Sequence, residues 1–232
     1  MKSIKDTFET IHGIINALPV KVDMAVIGGY AVILHGVERT TLDVDFCLYS
    51  DLIRTSGTDA FFVLLKQHIP ERFRAEVIQG SKVPEDPFKH DIIFLEDLRG
   101  EYPRMDLLIA RYKWELEAIQ GAEHLPGVSI PVLTKPHLAA MKLQATELKD
   151  ADDVANLIRL MTEGEKAITF KLAERTGRDK KLACLLAPPE EEVREIPDEL
   201  LWVLLGREVA QIRVVEPGAP LEVPPAHGGV TR

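Results

Sequence analysis

The sequence predicts an α/β (α+β) chain, on three observations. Some segments carry apolar residues at helical spacing, as at Ile4, Phe8, Ile11, Ile15 and Leu18. Others alternate, as Leu42, Val44 and Phe46 do against Asp43 and Asp45. The two kinds follow one another along the chain, separated by turn-forming Gly and Pro.

In order, the first helix runs to Leu18 and stops at Pro19. Met24 to Ile27 is a short strand ended by Gly28-Gly29, and Tyr30 to Leu34 makes about two helical turns closed by Gly36. Thr41 to Leu48 is the next strand, and Asp51 to Ser56 a polar connection. A helix over Ala60–Ile69 follows, in which His68 reads as a packed or solvent-facing residue. Strands are expected at Phe73–Ile78, His90–Leu95 and Arg104–Ala110, a helix at Arg111–Gln120 and a strand at Val128–Leu133. Thr134 and Pro136 open a further helix, and Lys149-Asp150-Ala-Asp-Asp153 leads into another over Val154–Met161. That acidic cluster, at a helix start, complements the helix dipole.

Residues 1–163 are expected to form one domain, 164–215 a mainly helical extension, and 216–232 a disordered tail rich in Pro and Gly. The 232 residues, 46% hydrophobic and 28% charged, suit a soluble globular protein. Two cysteines do not make a disulfide scaffold, no run is long enough to span a bilayer, and the N-terminus lacks a signal-type apolar stretch. A reduced cytoplasm is the expected setting. The net charge of -9 argues against broad binding to duplex nucleic acid, which rests on many Lys and Arg contacts.

The chemistry concentrates between Val26 and Phe46. Residues two apart on a strand share a face, so Asp43 and Asp45 are expected side by side. Two neighbouring carboxylates repel unless a cation lies between them, and all-oxygen ligands suit Mg²⁺ or Mn²⁺. The Gly28-Gly29 turn opens a helix whose free N–H groups favour a phosphate. Together they imply chemistry on a nucleoside triphosphate. The plainer reading is a glycine turn followed by a surface strand with two solvated aspartates. Asp106 stands alone among apolar neighbours, where a carboxylate is costly to bury unpaired. It either faces solvent at an edge or completes the metal site, with Asp91 as its competitor.

Gly28-Gly29, then Asp43-Val-Asp45, then Asp106 on a later strand resembles the polymerase-β-type nucleotidyltransferase superfamily. The longer run Gly-Gly-Tyr-Ala-Val-Ile-Leu-His-Gly with Arg39-Thr-Thr-Leu-Asp-Val-Asp-Phe is similar to minimal nucleotidyltransferases and AbiEii-like toxins of bacterial toxin–antitoxin systems. Lys142 followed by Lys149-Asp150-x-x-Asp153 is similar to the helical segment after the core in that branch. The likeness covers about Val22 to Met161.

It implies a mixed sheet flanked by helices and a metal-dependent transfer of a nucleoside monophosphate from a nucleoside triphosphate to an RNA end, tRNA included, or a protein hydroxyl. By the same likeness, Asp43 and Asp45 hold the nucleotide's Mg²⁺ or Mn²⁺ and Asp106 completes the metal site and orients or deprotonates the acceptor. Gly28 and Gly29 admit the phosphates, and Lys142 neutralises their charge. Arg39 either reaches phosphates or acceptor or is an exposed turn arginine. A cognate antitoxin or toxin is an implied partner, a membrane is not. Two other readings use the same residues: a catalytically inactive nucleotide- or partner-binding module of this fold, and a metal-dependent phosphohydrolase.

Overall fold

The structure, a computed structural model, describes residues 2–85, 89–145 and 147–187. The expectations for 188–215 and for the tail lie outside the described residues. Its elements are α1 (Ile4–Asn16), β1 (Asp23–Val26), α2 (Gly28–Leu34), β2 (Val44–Tyr49), α3 (Asp51–Lys66), β3 (Phe73–Gln79), β4 (Asp91–Asp97) and β5 (Met105–Ile109). Five helices follow: α4 (Lys113–Gln120), α5 (Lys135–Gln144), α6 (Leu148–Arg159), α7 (Glu163–Arg175) and α8 (Asp179–Leu186). The five strands form one mixed sheet in the order β1-β2-β5-β4-β3. Only β2 and β5 run parallel; the other neighbours are antiparallel. Mixed sheet and flanking helices are the architecture expected from the sequence.

Strand alternation gives the sheet two unlike faces. Val44, Phe46 and Leu48 of β2, Met105, Leu107 and Ile109 of β5, and Ile93 and Leu95 of β4 are all buried on one face. There α1 covers the sheet, with Phe8 edge-on to Phe46 at 6.1 Å between ring centres, and α3 ties in through Thr58 to Asp91. The other face carries Asp45, Asp106, Leu108, Ile92 and Phe94, all only partly covered. In register, Asp45 stands opposite Asp106, and Asp106 opposite Phe94. That half-open face is where polar chemistry can sit without the full cost of desolvation.

Three segments differ from expectation. Asp51–Ser56 is not a connection but the first turns of α3, whose merged helix kinks at Gly57 (φ 86°). Ser50 caps it, accepting a hydrogen bond from the Leu52 N–H. Val128–Leu133 makes only isolated bridges, Val132 to Val26 and to Glu123, because Pro131 lacks the N–H a ladder needs. β2 starts at Val44, so Asp43 lies just before the strand and Leu42 is 87% exposed instead of facing the core.

The turn that delivers β5 is held from within. Asp97, its side chain fully covered, takes the Arg72 guanidinium at 2.8 and 2.9 Å and the backbone N–H groups of Arg99, Glu101 and Tyr102. Arg72, with those N–H groups, holds the Asp97 carboxyl well below the usual carboxylate range. The stability it supplies is present above the ordinary value of 3.8 and is lost as pH falls towards its lowered value. Among the described residues no helix is long and apolar enough to cross a membrane.

Candidate functional site

The site is built where β1 runs into α2. Gly28 has φ +62°, and a Cβ there would lie 1.8 Å from Oδ2 of Asp45. A Cβ on Gly29 would meet Thr41 Oγ1 at 2.7 Å and Thr41 Cβ at 2.8 Å. The two glycines are therefore demanded by the protein's own side chains: one lets Asp45 press against the turn, the other lets the 37–43 loop fold over it. α2 is seven residues long, and His35 at its end donates from Nε2 to the Leu133 carbonyl at 2.7 Å, tying the motif to the start of α5.

Asp45 and Asp106 are direct neighbours across the parallel β2–β5 pair. Burial raises the Asp45 pKa, and the Asp106 and Asp43 carboxylates raise it further, while Lys142 and the Gly29 N–H pull it down. Asp106 is raised too, chiefly by burial, against the pull of Arg104. Arg104, which the sequence reading did not single out, grips Asp106 with Nε at 2.8 Å and Nη2 at 2.9 Å and reaches Asp43 Oδ2 at 3.0 Å. Its guanidinium lies over the Phe94 ring, 5.3 Å from the centre. Arg-x-Asp on one strand face was visible in the sequence, since residues two apart point the same way. What pairs with Arg104 was not, because Asp43 is 61 residues away.

Lys142 on α5 bonds Asp150 at 2.6 Å and Asp153 at 3.0 Å, both on α6, and Asp153 also takes Arg39. Asp150 and Asp153 are buried, so they do more than complement a helix dipole: they hold the cations that face the site. Arg39 is not an exposed turn arginine, its side chain being 16% exposed. We expect Asp153→Ala to strand the covered Arg39 guanidinium, leave Lys142 on Asp150 alone, and lower unfolding free energy by about 3 kcal/mol. Urea denaturation checks this, and a loss below about 1 kcal/mol would mean the pair contributes no more than a surface one.

Asp91 is buried on the opposite face, its Oδ2 accepting from Thr58 Oγ1 at 2.5 Å and its Oδ1 from the Ser81 N–H at 3.0 Å. Its position in β4 turns it away from Asp45 and Asp106, which removes it as their competitor.

Asp45, Gly28, Lys142 and Asp150 line a cavity of about 450 Å³ that runs along the half-open face to His90 and Glu115. A larger cavity of about 570 Å³, at the β1 side near His12, Lys21 and His124, holds none of the three aspartates. Chemistry, not size, singles out the first. The three aspartates at its Asp45 end, Asp43, Asp45 and Asp106, are oxygen donors that suit a hard divalent cation. Burial first, and the Asp106 and Asp43 carboxylates after it, raise Asp45, while Arg104 already serves as cation to Asp43 and Asp106. Among the described residues no group of three or more His, Cys, Asp or Glu side chains has the spacing of a ready-made metal site.

No protein-family model matches the chain, and no curated protein does. Among solved structures, it is similar to an antigenic nucleotidyltransferase-like protein from Paracoccidioides brasiliensis. The two are 15% identical, the match covers 79% of this chain and 96% of that one, and the TM-score is 0.44. The antibiotic-resistance factor ANT(2'')-Ia is 13% identical, with 77% and 97% covered and a TM-score of 0.45.

Proposed function

We propose that the chain is a nucleotidyltransferase, carrying a nucleoside monophosphate from a nucleoside triphosphate to a hydroxyl of an RNA end or a protein. One observation carries this reading. Asp45 and Asp106 stand side by side on parallel strands, Gly28 brings the backbone against Asp45, and Lys142 faces the same cavity from another helix. Asp43, Asp45 and Asp106 would hold Mg²⁺ or Mn²⁺, which when bound neutralises the triphosphate and the leaving pyrophosphate. Lys142 has three N–H donors, two of them engaged by Asp150 and Asp153, which leaves one for a phosphate oxygen. Asp106, its pKa raised, is suited to take the acceptor's proton. The acceptor oxygen then bonds to the α-phosphorus, and the bond to the β-phosphate oxygen breaks with its electron pair leaving on pyrophosphate. A tRNA acceptor and an antitoxin or toxin partner belong to this proposal through the sequence resemblance alone.

A second reading, a module that binds nucleotide without transferring it, is favoured by one feature: Arg104, Lys142 and Arg39 already balance much of the carboxylate charge. Titration calorimetry with each triphosphate, in Mg²⁺ and in EDTA, tests the reading. We expect affinity to be at least tenfold higher with Mg²⁺, and pyrophosphate to be released when RNA or protein extract is added. Equal affinity in both buffers would sink the metal-dependent site. Binding without pyrophosphate release for any acceptor would establish the module instead.

A further inference from the structure

The cavity ends in a pair of groups that the transfer chemistry does not use. Glu115, 1% exposed, accepts at Oε2 from the backbone N–H groups of Arg111 (2.8 Å) and Tyr112 (2.9 Å). Its Oε1 takes Nε2 of His90 at 2.7 Å. The His90 ring is also fixed edge-on to Tyr112, 5.5 Å between centres. The Glu115 carboxylate accepts, so Nε2 is the donating nitrogen and Nδ1 is left as the ring's acceptor. Among the described residues Nδ1 has no partner. Both His90 and Glu115 line the cavity that begins at Asp45 and Gly28.

The distance along the sheet gives this end a purpose. Phe94 stands opposite Asp106, and His90 lies four residues earlier, about 13 Å at the rise of an extended chain. That matches the reach of a nucleotide from α-phosphate across the ribose to the outer edge of the base. Between the two ends the walls are apolar, with Ile92 and Leu108 from the sheet and Met141 from α5. A flat aromatic base can lie against such walls, and an oriented acceptor beyond them reads its edge.

We propose that His90, oriented by Glu115, selects the nucleotide by accepting a hydrogen bond from an exocyclic amino group of the base. The inference rests on the nucleotide-binding reading above and names its substrate class: amino-bearing bases over their keto counterparts. Glu115 is a positioning residue, because it sets which ring nitrogen bears the proton. Glu115→Gln keeps the shape and reverses the polarity. The amide oxygen can take the two backbone N–H groups, its NH₂ then donates to Nε2, and the proton moves to Nδ1.

The test is Mg²⁺-dependent binding of two matched pairs: ATP with ITP, and CTP with UTP. Wild type is expected to favour the amino member of at least one pair by about tenfold. His90→Phe should remove that preference and, by leaving Oε1 of the buried Glu115 without its partner, lower the melting temperature, and Glu115→Gln should invert the preference. A merely structural His90–Glu115 pair would change melting temperature and leave the ratio alone. Binding of the triphosphates with no amino preference, or a preference that survives His90→Phe, overturns this inference and leaves the nucleotide reading standing. If no triphosphate binds, both fall.

Discussion

Asp45→Asn is expected to lower transfer by about 10³ or more while the protein melts at the same temperature or higher. The two halves have one cause. Asp45 is pressed by burial and by the Asp106 and Asp43 carboxylates, so its ionised form is held against repulsion. A carboxyl whose folded pKa is raised binds its proton more tightly in the folded state. It costs no stability below the ordinary value of 3.8, and the cost grows as pH rises to the raised value and persists above it. Asparagine removes that cost at neutral pH and gains nothing in acid. The melting difference between variant and wild type should therefore shrink between about pH 7 and about pH 4. The same substitution removes a charge from the site that would gather the triphosphate's cation. Near-normal turnover, or a variant that melts well below wild type at neutral pH, would show that Asp45 is there for the fold.

Gly28→Ala should disable the site and weaken the fold together. The backbone at φ +62° costs an L-residue about 1–2 kcal/mol. The added Cβ would also lie 1.8 Å from Asp45 Oδ2, a contact no structure holds, so Asp45 or the turn must move. Total destabilisation of at least about 2 kcal/mol is expected, with loss of Mg²⁺-dependent triphosphate affinity. Gly36→Ala is the control: its φ of +94° imposes a comparable backbone penalty, yet nothing lies within 4 Å of the added carbon. It should lose stability and keep nucleotide affinity. If the two alanines lose affinity alike, the close approach of Asp45 is not what Gly28 is for.

The legible part of this chain was local. Helical spacing in Ile4–Leu18 and alternation around Val44–Phe46 are periodicities that backbone geometry imposes on any sequence, and they predicted most elements. The pair Asp43 and Asp45 and the glycines before them stood within one short unit. Local pattern misled where short range competes with packing. Asp51–Ser56 is polar enough to read as a loop, yet Ser50 caps a helix there and its exposed face tolerates those residues. Val128–Leu133 is apolar enough for a strand, yet Pro131 limits it to bridges.

By itself, then, the sequence determined the alternation of helix and strand, the sharp turn at Gly28-Gly29, and which residues could bear charge on one strand face. Those follow from dihedral sterics and side-chain periodicity, which act within a few residues. Only the tertiary structure decided the partners: Asp106 beside Asp45, Arg104 between Asp106 and Asp43, Lys142 and Arg39 on Asp150 and Asp153, and His90 on Glu115. Each of these links joins segments through the order of strands or the packing of helices. A carboxylate has no preference along the chain for one distant cation over another, so the pairing follows from where the hydrophobic core has set the elements down.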